Sequence, residues 1–174
     1  HKILGAAADQ GATLDEIETL ANEVVKNIKT IGVALSAATN PEVGKPGFEL
    51  KSDEIEYGVG IHSEPGYRRE KIKPSKELVD ELVGKLNDEM HLDKNKKYAV
   101  LVNGMGATPL MEQYVFSHDL LNKLDEFGIK PDFMRVGNYL TSIDMAGLSL
   151  TIFEIKDDKW LNYLNYPVKT IAWN

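Results

Sequence analysis

The chain has 174 residues, of which 43% are hydrophobic and 27% are charged, a balance typical of a globular protein and unlike a disordered one. Its 27 acidic and 20 basic residues leave a net charge of −7, which argues against a broad nucleic-acid or anionic-membrane surface. The absence of cysteine excludes disulfides, thiolate metal sites and cysteine nucleophiles. No apolar run has the length of a membrane-spanning helix, and the first residues lack the features of a signal peptide.

The first predicted elements are a helix over residues 13–29 and a buried strand over residues 31–35. Thr13 and Glu16 have the spacing of a capping box. The apolar residues of the helix recur at helical spacing: Ile17, Leu20, Ala21, Val24, Val25 and Ile28. Residues 54–61 alternate apolar with other side chains, which predicts a strand that ends just before His62.

A second amphipathic helix is predicted after Pro74, and its core-facing residues are Leu78, Val79, Leu82, Val83 and Leu86. Residues 98–102 form a short apolar run and predict an interior strand. The turn that follows leads into a helix that we expect Thr108 to cap, with Pro109 at its first position and Gly128 just past its end. Further strands are predicted at residues 129–136, 148–155 and 168–173, with a short helix over residues 160–164.

This order of elements predicts an α/β fold with a mixed, mostly parallel sheet of about six strands packed against helices. The strands at residues 54–61 and 148–155 lack a long helix between them and a neighbouring strand. Some pairs of strands are therefore expected to be antiparallel. The length of the chain favours one domain.

His62 is the first candidate for chemistry. It follows an apolar strand, at the kind of strand end where sites in α/β folds collect. Neutral imidazole can act there as a base, a nucleophile or a ligand. The alternative from the residues alone is a structural histidine that is hydrogen-bonded to its own turn. His1, His91 and His118 have less in their favour, and no pair of histidines has a metal-ligand spacing.

Two glycine-containing segments are weaker candidates. Residues 103–109 could present free backbone N–H groups to an anion at a helix N-terminus, although helix capping explains the segment equally well. The connection over residues 137–147 lies between two predicted strands, where loops often carry function, but a solvated turn is the favoured interpretation. The adjacent pair Arg68 and Arg69 is interpreted as a surface feature.

Taken in order, these segments resemble the second half of the substrate-binding subunit of dihydroxyacetone kinase, the DhaK family. The matching stretches are Gly5-Ala6-Ala7-Ala8, residues 31–35, Gly44-Lys45-Pro46, residues 56–66, residues 101–103 with 106–110, and residues 141–145 with Gly147. The most specific is GVGIH-x-EPG, which contains His62. Ser63 is a departure from the family's pattern, in which a glycine is usual at this position.

The resemblance implies that His62 binds dihydroxyacetone covalently, as a hemiaminal between a ring nitrogen and the ketone carbon. It implies that residues 1–174 are the C-terminal domain of such a subunit. The preceding domain, which carries the acid, the base and the remaining substrate contacts, would then be absent, and this chain alone would be inactive. The first residue is His1 rather than methionine, which also leads us to expect a fragment or a processed chain.

The resemblance further implies a partner. No Walker loop occurs and no nucleotide domain follows Trp173, as in the stand-alone bacterial subunit, whereas ATP-dependent relatives fuse that domain to the same chain. The phosphoryl donor would be a partner subunit that carries ADP with Mg²⁺ and is recharged by the phosphotransferase system. A cytoplasmic homodimer, no cofactor in this chain, no nucleic acid and no membrane complete the expectation.

Two alternatives stay open at this point. A non-catalytic paralogue that binds dihydroxyacetone and acts as co-activator of a transcription regulator could keep the same histidine. The acid and base of the preceding domain would discriminate it from a kinase subunit. A structural α/β domain in which His62 only caps a turn is the third interpretation.

Overall fold

A computed structural model describes residues 1–62 and 66–173, and within these residues the chain forms five helices and eight strands. The helices are α1 (Lys2–Asp9), α2 (Leu14–Lys26), α3 (Ser75–Met90), α4 (Leu110–Glu126) and α5 (Asp158–Asn165). The strands are β1 (Ile28–Ala34), β2 (Thr39–Asn40), β3 (Lys45–Pro46), β4 (Glu54–Tyr57), β5 (Arg68–Lys71), β6 (Lys97–Gly104), β7 (Phe133–Gly137) and β8 (Gly147–Ile155).

In the described part of the chain, six strands form one mixed sheet in the order β5-β4-β1-β8-β6-β7, and β2 pairs with β3. This confirms the predicted α/β class and the six-stranded mixed sheet. The prediction that the sheet is mostly parallel is wrong, because β6 and β7 are parallel while every other neighbouring pair is antiparallel. The parallel pair is the one that α4 connects, whereas the other neighbours are reached through connections that reverse the chain.

Helices cover both faces of the large sheet. On one face, side chains such as Val33, Val100 and Leu150 pack beneath α3 and α4. On the other face, Ala99 and Phe153 pack against α1, α2 and α5. The two sets occupy alternate positions along the same strands, because successive side chains of a strand point to opposite faces.

The predicted helices are confirmed with changes at their ends. The Glu16 carboxylate accepts a hydrogen bond from the Thr13 amide at 2.7 Å, and the Thr13 hydroxyl accepts one from the Glu16 amide, so the capping box is present. The five core-facing residues predicted for α3 are all buried. The prediction that Ile28 belongs to α2 is wrong, because Ile28 pairs with Phe153 and begins β1. The helices α1 and α5 are the first and last elements of the described chain. The sequence patterns predict α5 but not α1.

Two predicted strands change. β4 ends at Tyr57 and does not continue to residue 61, because Gly58 turns the chain with a φ of 80°. Residues 168–173 form no strand. Instead the Trp173 ring stacks on Phe133, with ring centroids 6.0 Å apart, which holds the end of the described chain against β7 without ladder pairing.

Gly84 offers a test of the helical assignment of α3. It lies inside α3, and no atom lies within 4 Å of the position that an added Cβ would take. Gly84→Ala is expected to raise the free energy of unfolding by about 0.5–1 kcal/mol, because alanine loses less backbone entropy in a helix. Urea denaturation followed by circular dichroism measures the change. A lower free energy of unfolding for the variant would contradict this assignment.

Candidate functional site

A cavity of about 670 Å³ opens beside the sheet where the end of β6, the edge of β1 and two connections meet. The residues that line it include Gly32, Gly60, Ile61, Asn103, Leu140 and Ser149. A volume of this size is in the range of small-molecule sites. The segment that leads directly into His62 therefore forms part of its wall.

His62 lies in the connection of the hairpin formed by β4 and β5, and its side chain is exposed. The sequence prediction of a strand end is corrected accordingly, since four residues separate β4 from His62. Glycines allow the hairpin to close. A Cβ at Gly66 would lie 1.9 Å from the Tyr57 carbonyl oxygen, which accepts a hydrogen bond from the Tyr67 amide at 2.9 Å. Residues 63–65, including the departure Ser63, lie outside the described residues.

The segment before His62 crosses directly over β1. The Gly58 amide donates to the Gly32 carbonyl at 2.7 Å. A Cβ at Gly32 would lie only 2.5 Å from the Val59 carbonyl oxygen. The crossing places Val59 and Ile61 in a cluster with Met105. The turn at residues 103–109 therefore lies beside the segment that leads into His62, where Ile61 packs against the cluster that contains Met105.

That turn is held by the start of β8 and by the connection before it, and not by a helix cap. The amides of Met105 and Ala107 donate to the carbonyls of Gly147 and Met145. The Thr108 hydroxyl accepts from the Gly147 amide at 2.7 Å and donates to the Gly147 carbonyl at 2.5 Å. The prediction that Thr108 caps α4 is wrong, because Pro109 occupies the N-cap position without a side-chain hydrogen bond. Because the amides of Met105 and Ala107 already donate to carbonyls, the turn has fewer N–H groups that could bind an anion than its glycines indicate.

The connection at residues 137–147 is anchored, which corrects its interpretation as a solvated turn. Ser142 and Met145 are buried, and the Ser142 amide donates to the Met105 carbonyl at 2.7 Å. Asp144 accepts a hydrogen bond from the Thr39 amide at 2.7 Å, and this bond holds the pKa of Asp144 below its ordinary value. The connection can thus serve as a wall of the cavity.

Arg68 and Arg69 have structural partners within the hairpin and on α3. Arg69 donates to the buried Glu56 carboxylate across the β4–β5 ladder at 2.7 Å. The Arg68 guanidinium lies 4.3 Å from the centre of the Tyr57 ring and pairs with Glu81 of α3. Burial raises the pKa of Tyr57 to about 12, so its hydroxyl stays protonated at neutral pH. These contacts fix the base of the hairpin that carries His62.

Two residues of the site escape prediction from the sequence. Gly32 is treated there as an ordinary strand residue, although a glycine inside an apolar strand is a signal of close backbone approach. Ser149 lines the cavity from near the start of β8, and nothing in its sequence context distinguishes it from a surface serine.

The other described features assign no further chemistry. His91 ends α3 in a left-handed conformation, and His118 lies on α4 in a hydrogen bond with Asn122. Among residues 1–62 and 66–173, no cluster of three or more histidine or carboxylate side chains could hold a metal ion. Within the same residues, every helix is too short or too polar to cross a membrane.

These features define an α/β domain in which a histidine-bearing hairpin borders a cavity beside the sheet. Residues 1–172 match the Dak1 domain family, so the chain belongs to that family. It is 67% identical to the dihydroxyacetone-binding subunit DhaK of the PTS-dependent dihydroxyacetone kinase of Lactococcus lactis, over 99% of this chain and 52% of that protein. The resemblance predicted from the sequence is confirmed.

Two solved structures show the same fold. A dihydroxyacetone kinase operon co-activator, DhaQ, superposes with a TM-score of 0.93 at 47% identity, over 99% of this chain and 54% of the other. The dihydroxyacetone kinase from C. freundii in complex with AMP-PNP and Mg²⁺ superposes with a TM-score of 0.87 at 27% identity, over 99% and 32% of the two chains. The chain spans about half the length of the curated DhaK subunits it matches.

Proposed function

We propose that this chain is the histidine-bearing C-terminal domain of a dihydroxyacetone kinase subunit, in which His62 binds dihydroxyacetone covalently for phosphorylation to dihydroxyacetone phosphate. The observation that carries the proposal is the position of the exposed His62, one residue beyond the cavity-lining Ile61, in a chain 67% identical to a DhaK subunit. The acid, the base and the other substrate contacts belong to a preceding domain of the complete protein. This chain by itself is then inactive.

The covalent step needs only the neutral imidazole. The lone pair of one ring nitrogen of His62 adds to the ketone carbon, and a carbon–nitrogen bond forms as the carbonyl π bond breaks. The π electrons move to the carbonyl oxygen, which takes up a proton. The other ring nitrogen releases its proton, so the product is a neutral hemiaminal and no oxidant or reductant is consumed.

Covalent capture gives a physical basis for selectivity. Glycerol offers hydroxyl groups of similar size but no carbonyl, so it cannot form the hemiaminal. Hydrogen bonds to the hydroxyl groups alone would separate these two compounds poorly. The adduct also holds the terminal hydroxyl in place for phosphoryl transfer, a reaction that depends on positioning and charge stabilisation.

The phosphoryl group is proposed to come from a partner subunit that carries ADP with Mg²⁺, and the phosphotransferase system would phosphorylate this ADP before each transfer to dihydroxyacetone. The 67% identity to the dihydroxyacetone-binding subunit of a PTS-dependent dihydroxyacetone kinase supports a donor held by another subunit. The same family resemblance supports a homodimer in the cytoplasm.

A second function is favoured by a specific observation. The chain is 47% identical to the co-activator DhaQ, whose fold it shares with a TM-score of 0.93. A co-activator would bind dihydroxyacetone through the same histidine without turning it over. The higher identity to the kinase subunit, 67%, supports the kinase as the first proposal.

An assay of phosphate transfer to dihydroxyacetone by the complete protein tests the choice between the kinase subunit and the co-activator. The assay is run with the nucleotide-carrying partner subunit, without it, and with ATP in its place. Turnover is expected only in the arm that contains the partner subunit. Turnover with ATP alone would reject the partner-dependent mechanism, and binding without turnover in every arm would favour the co-activator.

A further inference from the structure

Asn103 occupies an unusual position at the end of β6. Its side chain is 3% exposed, although the residue lines the cavity. The side-chain oxygen accepts hydrogen bonds from the amides of Tyr139 and Leu140, both at 2.8 Å. The side-chain nitrogen donates to the Leu140 carbonyl at 2.8 Å and to the Ser149 hydroxyl at 3.2 Å. The Asn103 side chain thus both accepts hydrogen bonds from the backbone of Tyr139 and Leu140 and donates one to it. These two residues form what we call the Tyr139–Leu140 wall, and Leu140 lines the cavity.

The register of the sheet gives the distance between Asn103 and the segment that leads into His62. Gly32 of β1, Ser149 of β8 and Asn103 of β6 lie opposite one another in adjacent strands. The segment that leads into His62 crosses over Gly32. Neighbouring strands are about 4.8 Å apart, so the crossing and the Asn103 side chain are separated by about 10 Å across the sheet. Asn103 therefore holds the wall opposite the one that carries His62.

An amide is the side chain that this geometry demands. The wall presents two N–H groups and one carbonyl to the same point, so the matching side chain needs an acceptor oxygen and a donor nitrogen. Aspartate keeps the acceptors and loses the donors, and alanine loses both. Because the polar atoms of Asn103 are already bonded to protein groups, the residue acts on a ligand through the Tyr139–Leu140 backbone.

We propose that Asn103 is a positioning residue for dihydroxyacetone, which sets the place of the Tyr139–Leu140 wall relative to His62 and so the affinity for the substrate. This inference rests on the proposed function. It assigns to Asn103 an effect on binding that exceeds its effect on stability. It assigns to Ser149 a smaller effect, because the Ser149 hydroxyl accepts only one of the hydrogen bonds of the Asn103 side chain.

The experiment compares Asn103→Ala, Asn103→Asp and Ser149→Ala in the complete protein. The matched control is Tyr98→Phe, at the opposite end of β6, where the Tyr98 hydroxyl accepts from the Asp93 amide at 3.0 Å. Binding is measured by titration with dihydroxyacetone labelled with ¹³C at its ketone carbon, using protein with ¹⁵N-labelled histidine. A ¹³C–¹⁵N coupling reports the adduct, and circular dichroism reports the folded fraction and the thermal midpoint.

Asn103→Ala is expected to weaken binding of dihydroxyacetone per folded molecule by about tenfold or more, since small displacements at a site have effects of this order. Asn103→Asp and Ser149→Ala are expected to be intermediate, and the control Tyr98→Phe to bind within about twofold of the unaltered protein. If Asn103→Ala does not fold, Asn103→Asp decides in the same way. Unchanged binding in the folded Asn103 variant, or an equal loss in Tyr98→Phe, would overturn the inference. Absence of the adduct in the unaltered protein would reject the proposed function, and this inference with it.

Discussion

Replacement of His62 by alanine in the complete protein is expected to abolish the dihydroxyacetone adduct. Alanine has no lone pair that can add to the ketone carbon, so the ¹³C–¹⁵N coupling disappears. Turnover is expected to fall by about a hundredfold or more, because the substrate is no longer held in place for phosphoryl transfer. The measurements are the labelled-substrate spectrum and the phosphate-transfer assay with the partner subunit.

His118→Ala is the matched control for this prediction. His118 is also exposed, but it lies on α4 in contact with Asn122 and does not line the cavity. This variant is expected to form the adduct like the unaltered protein. An adduct that persists in His62→Ala would refute the assignment of His62, and its loss in His118→Ala would show that the measurement is not specific to the cavity.

Gly32→Ala is expected to disrupt the site through the backbone. The added Cβ would lie 2.5 Å from the Val59 carbonyl oxygen and 3.7 Å from the Leu148 carbonyl oxygen. Because a backbone atom cannot give way as a flexible side chain does, the crossing segment must move off β1. The expected cost is about 1–3 kcal/mol of stability, as for other overpacked positions. The hydrogen bond from the Gly58 amide to the Gly32 carbonyl is strained at the same time.

Displacement of the crossing segment also moves His62, so binding of dihydroxyacetone is expected to weaken by about tenfold to a hundredfold. Gly84→Ala provides the comparison, because the same change is made where a Cβ meets no atom within 4 Å. Urea denaturation gives the stability of both variants, and the labelled-substrate titration gives their affinities. Normal binding by a Gly32→Ala protein of normal stability would show that the crossing tolerates a side chain.

Several elements follow from local patterns in the sequence. The core face of α3 is predicted because its apolar residues recur at the helical period, and each of them is buried. The start of α2 is predicted because a capping box is a contact between residues three apart.

β5 is not predicted, because Arg68, Arg69, Glu70 and Lys71 have no apolar pattern. Its strand exists through pairing with β4 and through ion pairs such as Arg69 with Glu56.

The sequence by itself determined the family, the α/β class, the main helices and the choice of His62 as the candidate residue. Each of these depends on residue identity or on spacing within a few turns of chain. The tertiary structure alone decided that the sheet is mainly antiparallel, that Gly32 must lack a side chain, and that Asn103 binds the wall opposite His62. These features depend on contacts between residues far apart in the chain, such as Gly32 with Val59, 27 positions away, and with Leu148, 116 positions away, and local periodicity carries no information about such pairings.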